Sequence, residues 1–140
     1  MSGRFVQKGD LVVLDRETGL AWQRGASPDK MEWDYGFDYV KQLNESKFAG
    51  YDDWRYPTAE ELKSLILDEE TIETRLYLDP LFQATDGCWS QDEHGHHHGH
   101  HFVIFADFYY GDLYVFQHNY VNYFVRAVRN YEYDIKQADA

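Results

Sequence analysis

The chain has 140 residues, 44% hydrophobic and 18% aromatic, which fits one folded domain over 1–140 and excludes disorder of the whole chain. Its 25 acidic and 13 basic residues give a formal net charge of −12, which disfavours nucleic acid, other polyanions and anionic membrane surfaces as partners. The one cysteine, Cys88, excludes an intrachain disulfide and a Cys-rich zinc cluster.

The N-terminal residues 1–10 are polar and lack the apolar run of a secretory leader. No stretch of the sequence is long enough to span a membrane. We therefore expect a cytoplasmic protein. Within the single domain, we expect a core over about 5–129 and a frayed tail over 130–140.

The first predicted element is a β-hairpin. Residues 11–14 form a branched, apolar run, and residues 20–22 form the returning strand. The turn between them ends in Gly19, which adopts positive φ without steric cost.

Two helices are predicted next. Over residues 33–43, apolar side chains recur at spacings of four, three and three, which places them on one helical face. The second helix begins after Thr58, because Thr58 and Glu61 match the capping-box pattern. It ends before the acidic run at 68–70.

The last third of the chain predicts an antiparallel meander. Its aromatic and branched segments are 102–108, 113–117 and 123–128, with turn-forming residues at 110–112 and 118–119. The order β, α, α, β-meander predicts an α+β domain, in which helices are segregated from an antiparallel sheet.

Three segments carry a family resemblance. They are Thr18-Gly-Leu-Ala-Trp-Gln23, Gly50-Tyr-Asp-Asp-Trp-Arg-Tyr-Pro-Thr-Ala-Glu-Glu-Leu62, and a set formed by 88–90, 106–108 and 123–129. Together, over about 5–129, they resemble the bacterial domain family found at the C-terminus of a Legionella collagen-like adhesin. That family resembles the C-type-lectin-like superfamily. The resemblance implies a C-type-lectin-like fold with two helices packed on an antiparallel sheet and with the N- and C-terminal strands paired.

The resemblance also implies structural roles for several residues. Trp54 would fill the seam between helices and sheet, and Arg55 would hydrogen-bond loop carbonyls. Pro57 and Thr58 would fix the start of the second helix. The complete structural set is Trp54, Arg55, Pro57, Thr58, Trp89 and Arg126.

The sequence departs from the catalytic and sugar-binding relatives. The Glu-Pro-Asn and Trp-Asn-Asp calcium-sugar motifs of C-type lectins are absent, and so are the paired cysteines of formylglycine-generating enzymes. Cys88 lacks the partner that family members often carry at the position of Ala127. The resemblance therefore implies a binding scaffold without naming its ligand.

An aromatic and polar stretch is the predicted ligand-binding face. Rigid Tyr side chains beside adaptable Asn and Asp are typical of paratopes. We interpret the stretch as the surface of a non-catalytic module that binds a protein or a carbohydrate. Its members are Tyr109, Tyr110, Asp112, Tyr114, His118, Asn119, Tyr120 and Asn122. Alternatively these tyrosines cover the core, since strand alternation sends about half the side chains inward.

The alternative function is divalent metal binding. A glycine-spaced segment over 93–101 contains His94, His96, His97, His98, His100 and His101. Neutral imidazoles bind Zn²⁺, Ni²⁺ and Cu²⁺, so a divalent transition metal is the one cofactor that the sequence suggests. The opposing interpretation is a solvated insertion before the strand at 102.

The other reactive groups favour structural interpretations. Asp53 precedes Trp54 in the family pattern and is expected to cap or pair, and the acids at 68–73 are expected to form a solvated helix end. Cys88 is expected on a core strand, where a buried thiol behaves as a small apolar side chain. No catalytic residue is predicted, and the sequence leaves the oligomeric state open.

Overall fold

A computed structural model describes residues 3–131, apart from the side chains of His96 and His97. The predicted tail therefore lies mostly outside the described residues. The elements are β1 (Phe5–Lys8), β2 (Val12–Asp15), β3 (Leu20–Gln23), α1 (Trp33–Glu45), a 3-10 turn (Phe48–Gly50), α2 (Ala59–Leu65), β4 (Gly87–His97), β5 (His100–Asp107), β6 (Asp112–Gln117) and β7 (Val128–Asn130). Within residues 3–131, neither helix combines the length and apolar character needed to cross a bilayer.

The first sheet joins the two ends of the chain. Its strand order is β1-β2-β3-β7, with every neighbouring pair antiparallel. Trp22 of β3 lies opposite Val128 of β7. The α+β class and the pairing of N- and C-terminal strands are confirmed, whereas the C-type-lectin-like assignment stays a prediction. The sequence analysis missed β1, because only Phe5 of its four side chains is buried.

The second sheet has the order β4-β5-β6 and is also antiparallel. The predicted strands at 102–108 and 113–117 correspond to β5 and β6. The strand predicted at 123–128 is wrong, because regular pairing begins only at Val128. Residues 123–127 are instead an irregular stretch with isolated bridges to neighbouring segments.

Residues 123–127, here called the central segment, bond to both sides of the molecule. Tyr123 exchanges two backbone hydrogen bonds with Met31, of 2.9 and 3.1 Å. The backbone of the next residue, Phe124, bonds instead to β4. Its carbonyl accepts from the Trp89 N–H at 3.0 Å, and its N–H donates to the Gly87 carbonyl at 3.2 Å. The segment therefore belongs to no single sheet, and its apolar pattern alone could not show this.

Arg126 is the polar centre of this segment. Its side chain is fully buried. The guanidinium donates to the carbonyl oxygens of Gln23 and Gln83, both at 2.8 Å, to that of Arg24, and to Thr85 Oγ1 at 3.2 Å. Burial lowers the pKa of Arg126, because it disfavours the charged form. Its hydrogen bonds tie the central segment to two loops.

The start of α2 matches the sequence prediction. Thr58 Oγ1 accepts from the Glu61 N–H at 3.1 Å, and Glu61 Oε1 accepts from the Thr58 N–H at 2.9 Å, which completes the capping box. Arg55 differs from the expectation. It bonds the Glu61 carboxylate through two contacts of 2.7 and 2.6 Å, and donates to Asn130 Oδ1 at 2.7 Å. Arg126, rather than Arg55, binds the loop carbonyls.

Trp54 lies in the core between α1 and the sheets. It is buried, and it packs in one cluster with Leu43 of α1 and Trp89 of β4. Its indole N–H donates to the Phe48 carbonyl at 2.9 Å, and the side chain of Asn44 bonds both its N–H and its carbonyl. The segment before α2 is thereby fixed to the end of α1.

Arg126→Met should destabilise the protein by about 3 kcal/mol or more, because it removes the donors to the Gln23 and Gln83 carbonyl oxygens and to Thr85 Oγ1. Urea unfolding followed by Trp fluorescence measures the change. Arg16→Met, at an exposed position after β2, is the control and should change stability by less than about 0.5 kcal/mol. Equal stabilities for the two variants would contradict the structural role of Arg126.

Glu61→Gln should destabilise the protein near neutral pH and have a diminishing effect in acid. Burial raises the pKa of Glu61, but the bonds from Arg55 and Thr58 outweigh it and hold the pKa below its usual value of 4.5. The carboxylate therefore contributes stability above its unfolded pKa, and this is lost as pH falls through the folded pKa. Urea midpoints between about pH 3 and pH 7 test this, with the exposed neighbour substitution Glu60→Gln as control. A difference that stays constant with pH would refute it.

Candidate functional site

The tyrosine surface comprises Tyr109, Tyr110, Tyr114 and Tyr123, which surround the turn between β5 and β6. Tyr110 is 67% exposed and Tyr109 57% exposed. Tyr114 is also exposed, whereas Tyr123 is half-buried. Exposed aromatic side chains clustered in one patch are typical of surfaces that contact another molecule.

A first groove of about 500 Å³ crosses this surface, lined by Phe105, Asp107, Tyr110, Tyr114, Val115, Phe116 and Tyr123. Its floor is a stacked aromatic pair. The rings of Phe105 and Tyr123 lie 4.1 Å apart between centroids, at an interplanar angle of 21°. The backbone of Tyr123 is held by Met31, so the floor is part of the folded core.

A second groove of about 500 Å³ adjoins the first, lined by Lys30, Asp86, Asp107, Tyr109, Tyr110, Asn122 and Tyr123. The two grooves share Asp107, Tyr110 and Tyr123. They therefore form one continuous concave surface that offers aromatic faces together with carboxylate, amide and ammonium groups.

Asp107 fixes the turn that presents the exposed tyrosines. Its Oδ1 accepts the backbone N–H of Tyr109 at 2.8 Å and of Tyr110 at 3.0 Å. Gly111 follows with φ +76°, and a Cβ there would lie 2.7 Å from the ring of Tyr77. The turn thus requires glycine both for its backbone conformation and for its close contact with Tyr77.

The surface carries net negative charge. Lys30 is paired with Asp86 at 2.9 Å, and Asp107 adds a carboxylate to both grooves. Burial, together with the Asp107 and Asp86 charges, raises the pKa of Tyr123 and keeps its phenol protonated. The electrostatic potential of such a surface disfavours anionic ligands.

The structure brings together Tyr109, Tyr110, Tyr114 and Asn122 of the predicted ligand-binding residues. Tyr120 lies nearby, with its ring stacked on Phe116 at 5.4 Å. It borders a third groove of about 380 Å³, lined also by Phe102, Val115, Phe116 and Gln117.

Three predicted residues lie apart from the grooves. Asp112 accepts from the neighbouring Leu113 N–H at 2.8 Å, and Asn119 accepts from the Gln117 amide at 2.7 Å. The side chain of His118 is only 14% exposed and contacts α1. Their residue types match those of a paratope, but strand direction and local hydrogen bonds place their side chains outside the grooves.

His118 joins the end of β6 to α1. Its Nδ1 is bonded to a carboxylate oxygen of Asp34. Its ring lies 6.4 Å from that of Trp33 and 5.3 Å from that of His101, both edge-to-face. This packing makes His118 part of a half-buried aromatic junction.

The histidine-rich segment is a β-hairpin rather than an insertion between strands. Residues 94–97 continue β4, and residues 100–101 begin β5. His98 and Gly99 form the turn, with φ values of 51° and 80°, the two positive values that a type I′ turn requires. His101 Nδ1 lies 3.0 Å from Glu93 Oε1 across the hairpin.

The described residues contain no group of three or more His, Cys, Asp or Glu side chains placed to hold a metal ion. The side chains of His96 and His97 lie outside that description. A metal at this hairpin stays a prediction.

The remaining reactive groups have structural surroundings. Cys88 is fully buried, and burial raises the pKa of its thiol. Asp53 pairs with Arg129 through contacts of 2.6 and 3.2 Å. Neither lines the grooves described above.

Sequence reasoning missed several groove residues, namely Lys30, Asp86, Phe105, Asp107 and Phe116. Asp107 carried a usable signal, because an Asp directly before a turn commonly binds backbone N–H groups two and three residues later. Lys30 and Asp86 carried none, since they reach the site only through folding of distant loops.

Comparison with protein-family models gives a match over most of the chain. The model of the Lcl C-terminal domain family matches residues 11–129. That span begins just before β2 and ends within β7, so it includes both helices and the tyrosine surface. No curated protein matches the chain.

His118→Ala should destabilise the protein by about 1–2 kcal/mol through lost packing and a lost hydrogen bond. A double-mutant cycle with Asp34→Ala should give a coupling of about 0.5 kcal/mol, the size typical of a partly exposed pair. Urea unfolding provides the measurement. His94→Ala, on the exposed part of the hairpin, is the control and should have little effect. Strict additivity would show that His118 and Asp34 do not interact.

Proposed function

The chain belongs to the Lcl C-terminal domain family, and on that premise we propose that it is a non-catalytic ligand-recognition module. It binds a protein or a glycan through the tyrosine surface, on a C-type-lectin-like scaffold. The observation that carries the proposal is the continuity of two grooves through Tyr110, Asp107 and Tyr123.

The aromatic groups of this surface support recognition energetically. Exposed Tyr side chains bury large area at low conformational cost, because each has only two side-chain torsions. Tyr110 lines both grooves, so it is the expected anchor. The stacked Tyr123 and Phe105 provide a rigid floor beneath the ligand.

The polar groups support selectivity. Asp86 and Asp107 accept hydrogen bonds from hydroxyl, amide or ammonium groups, and the Asn122 amide both donates and accepts. The acidic lining and the net charge of −12 favour neutral or basic ligands over sulfated or phosphorylated ones.

The placement of Cys88 supports a role without covalent chemistry. The chain's one thiol is fully buried, and burial raises its pKa, so the reactive thiolate is disfavoured. The tyrosine surface instead offers groups for van der Waals contact and hydrogen bonding.

Tyr110→Ala should weaken ligand binding by at least about tenfold, which corresponds to about 1.4 kcal/mol. Tyr109→Ala should have a smaller effect, because Tyr109 lines only one of the two adjoining grooves. A ligand selected from a panel of neutral glycans, amino sugars and peptides would be used in calorimetry.

The matched control is Tyr35→Ala. Tyr35 is 60% exposed on α1 and lines none of the three grooves. Circular dichroism should show that all variants fold. Ligand binding that survives Tyr110→Ala, or that is lost equally in Tyr35→Ala, would reject the tyrosine surface as the site.

A further inference from the structure

Among residues 3–131, strand β6 is an outer strand of the second sheet and pairs with β5 alone. In this antiparallel pair, the His118 N–H donates to the His101 carbonyl at 2.9 Å, which identifies a hydrogen-bonded pair. Such pairs alternate along a ladder, so Tyr114 and Phe116 bond to β5. The N–H and carbonyl of Val115 therefore point away from the sheet.

Neither backbone group of Val115 has a hydrogen-bond partner elsewhere in residues 3–131. The strand also lacks the usual edge protection. Its sequence, Asp-Leu-Tyr-Val-Phe-Gln, has no Pro or Lys, and its pairing with β5 shows no bulge. It thus presents a regular backbone edge between exposed apolar side chains.

Two of the grooves meet at this edge, and the β5 residues that line them lie on opposite faces of the sheet. The first groove contains Phe105 and Tyr114, which pair across the strands on one face. The third groove contains Phe102 and Gln117, which pair on the other face. Both grooves include Val115.

A strand added beside β6 would send alternate side chains into these two grooves, because successive side chains point to opposite faces. This is the recognition mode in which main-chain hydrogen bonds provide affinity and alternate pockets provide selectivity. The backbone edge and the two grooves are therefore matched in geometry.

The two grooves differ in chemistry. The first is lined by the Asp107 carboxylate beside aromatic rings, which suits a basic side chain. The residues lining the third carry no formal charge and are mostly apolar, which suits an aliphatic side chain. The matching ligand alternates basic and aliphatic residues.

We propose that β6 accepts an extended, basic-aliphatic alternating segment of a partner polypeptide as a fourth strand of the second sheet. This inference rests on the proposed function and selects a protein ligand over a glycan. A second copy of this chain is the poorer occupant, since each copy carries a net charge of −12 and β6 itself supplies no basic residue.

The probe is a synthetic, amidated peptide in which lysine and valine alternate, compared with a peptide of the same composition arranged in blocks. Calorimetry and amide chemical-shift mapping should show binding of the alternating peptide centred on Val115. The block peptide should bind at least about tenfold more weakly, because only alternation satisfies both grooves.

N-methylation separates strand addition from simple charge attraction. Methyl groups on every second amide remove the donors of one peptide edge and leave the other edge intact. One methylation register should abolish binding and the other should preserve it, because only one edge faces β6. Equal effects of the two methylation registers on binding would overturn the proposal. This test needs no substitution in the protein.

Val115→Pro removes the outward N–H at a position where an edge strand tolerates proline, and should weaken peptide binding at least about tenfold. Val115→Thr keeps the N–H and the β-branch, and should bind within about twofold of the parent. If Val115→Pro unfolds, the two methylation registers still decide the question.

The outcomes separate this inference from the proposed function. Tyr110-dependent binding of a neutral glycan, with no binding of the alternating peptide, would overturn strand addition and leave the proposed function standing. Absence of Tyr110-dependent binding to any ligand would reject both. Ultracentrifugation showing a dimer that Val115→Pro dissociates would assign the edge to a second copy instead.

Discussion

The structure depends on the buried guanidinium of Arg126. A charge in the core is costly unless it is hydrogen-bonded, and here three carbonyl oxygens and a hydroxyl accept from its two terminal nitrogens. Because those acceptors come from the end of β3 and from the loop before β4, one side chain fixes the path of the central segment between the two sheets. The segment needs this support, since it makes no continuous ladder of its own.

The proposed binding surface is supported by that segment. Tyr123 stands at its first position, with its backbone held by Met31 and its ring stacked on Phe105. Asp107 then holds the neighbouring turn through two backbone N–H groups. The exposed tyrosines are thus attached to ordered backbone, which reduces the entropy lost when a ligand binds.

The sequence predicted the features that local residue patterns or the family resemblance determine. The capping box at Thr58, the apolar stripe of α1 and the pairing of the chain ends all follow from local patterns or family resemblance. The central segment was mistaken for a strand, because apolar alternation does not reveal which neighbours accept the backbone bonds. Of the predicted ligand-binding residues, Tyr110 lines the grooves, whereas His118 packs against α1. Lys30 was not named from the sequence, since its place in the second groove depends on contacts distant in sequence.

The register of the first sheet has a consequence for how the domain can be joined to other chains. Phe5, Asp15, Leu20 and Asn130 lie in one row across the four strands. Three interstrand spacings separate the first and last of them, roughly 14 Å at the usual 4.8 Å per strand. Both polypeptide connections therefore leave on the same side, and a host protein could carry this unit within a single surface loop without stretching either junction.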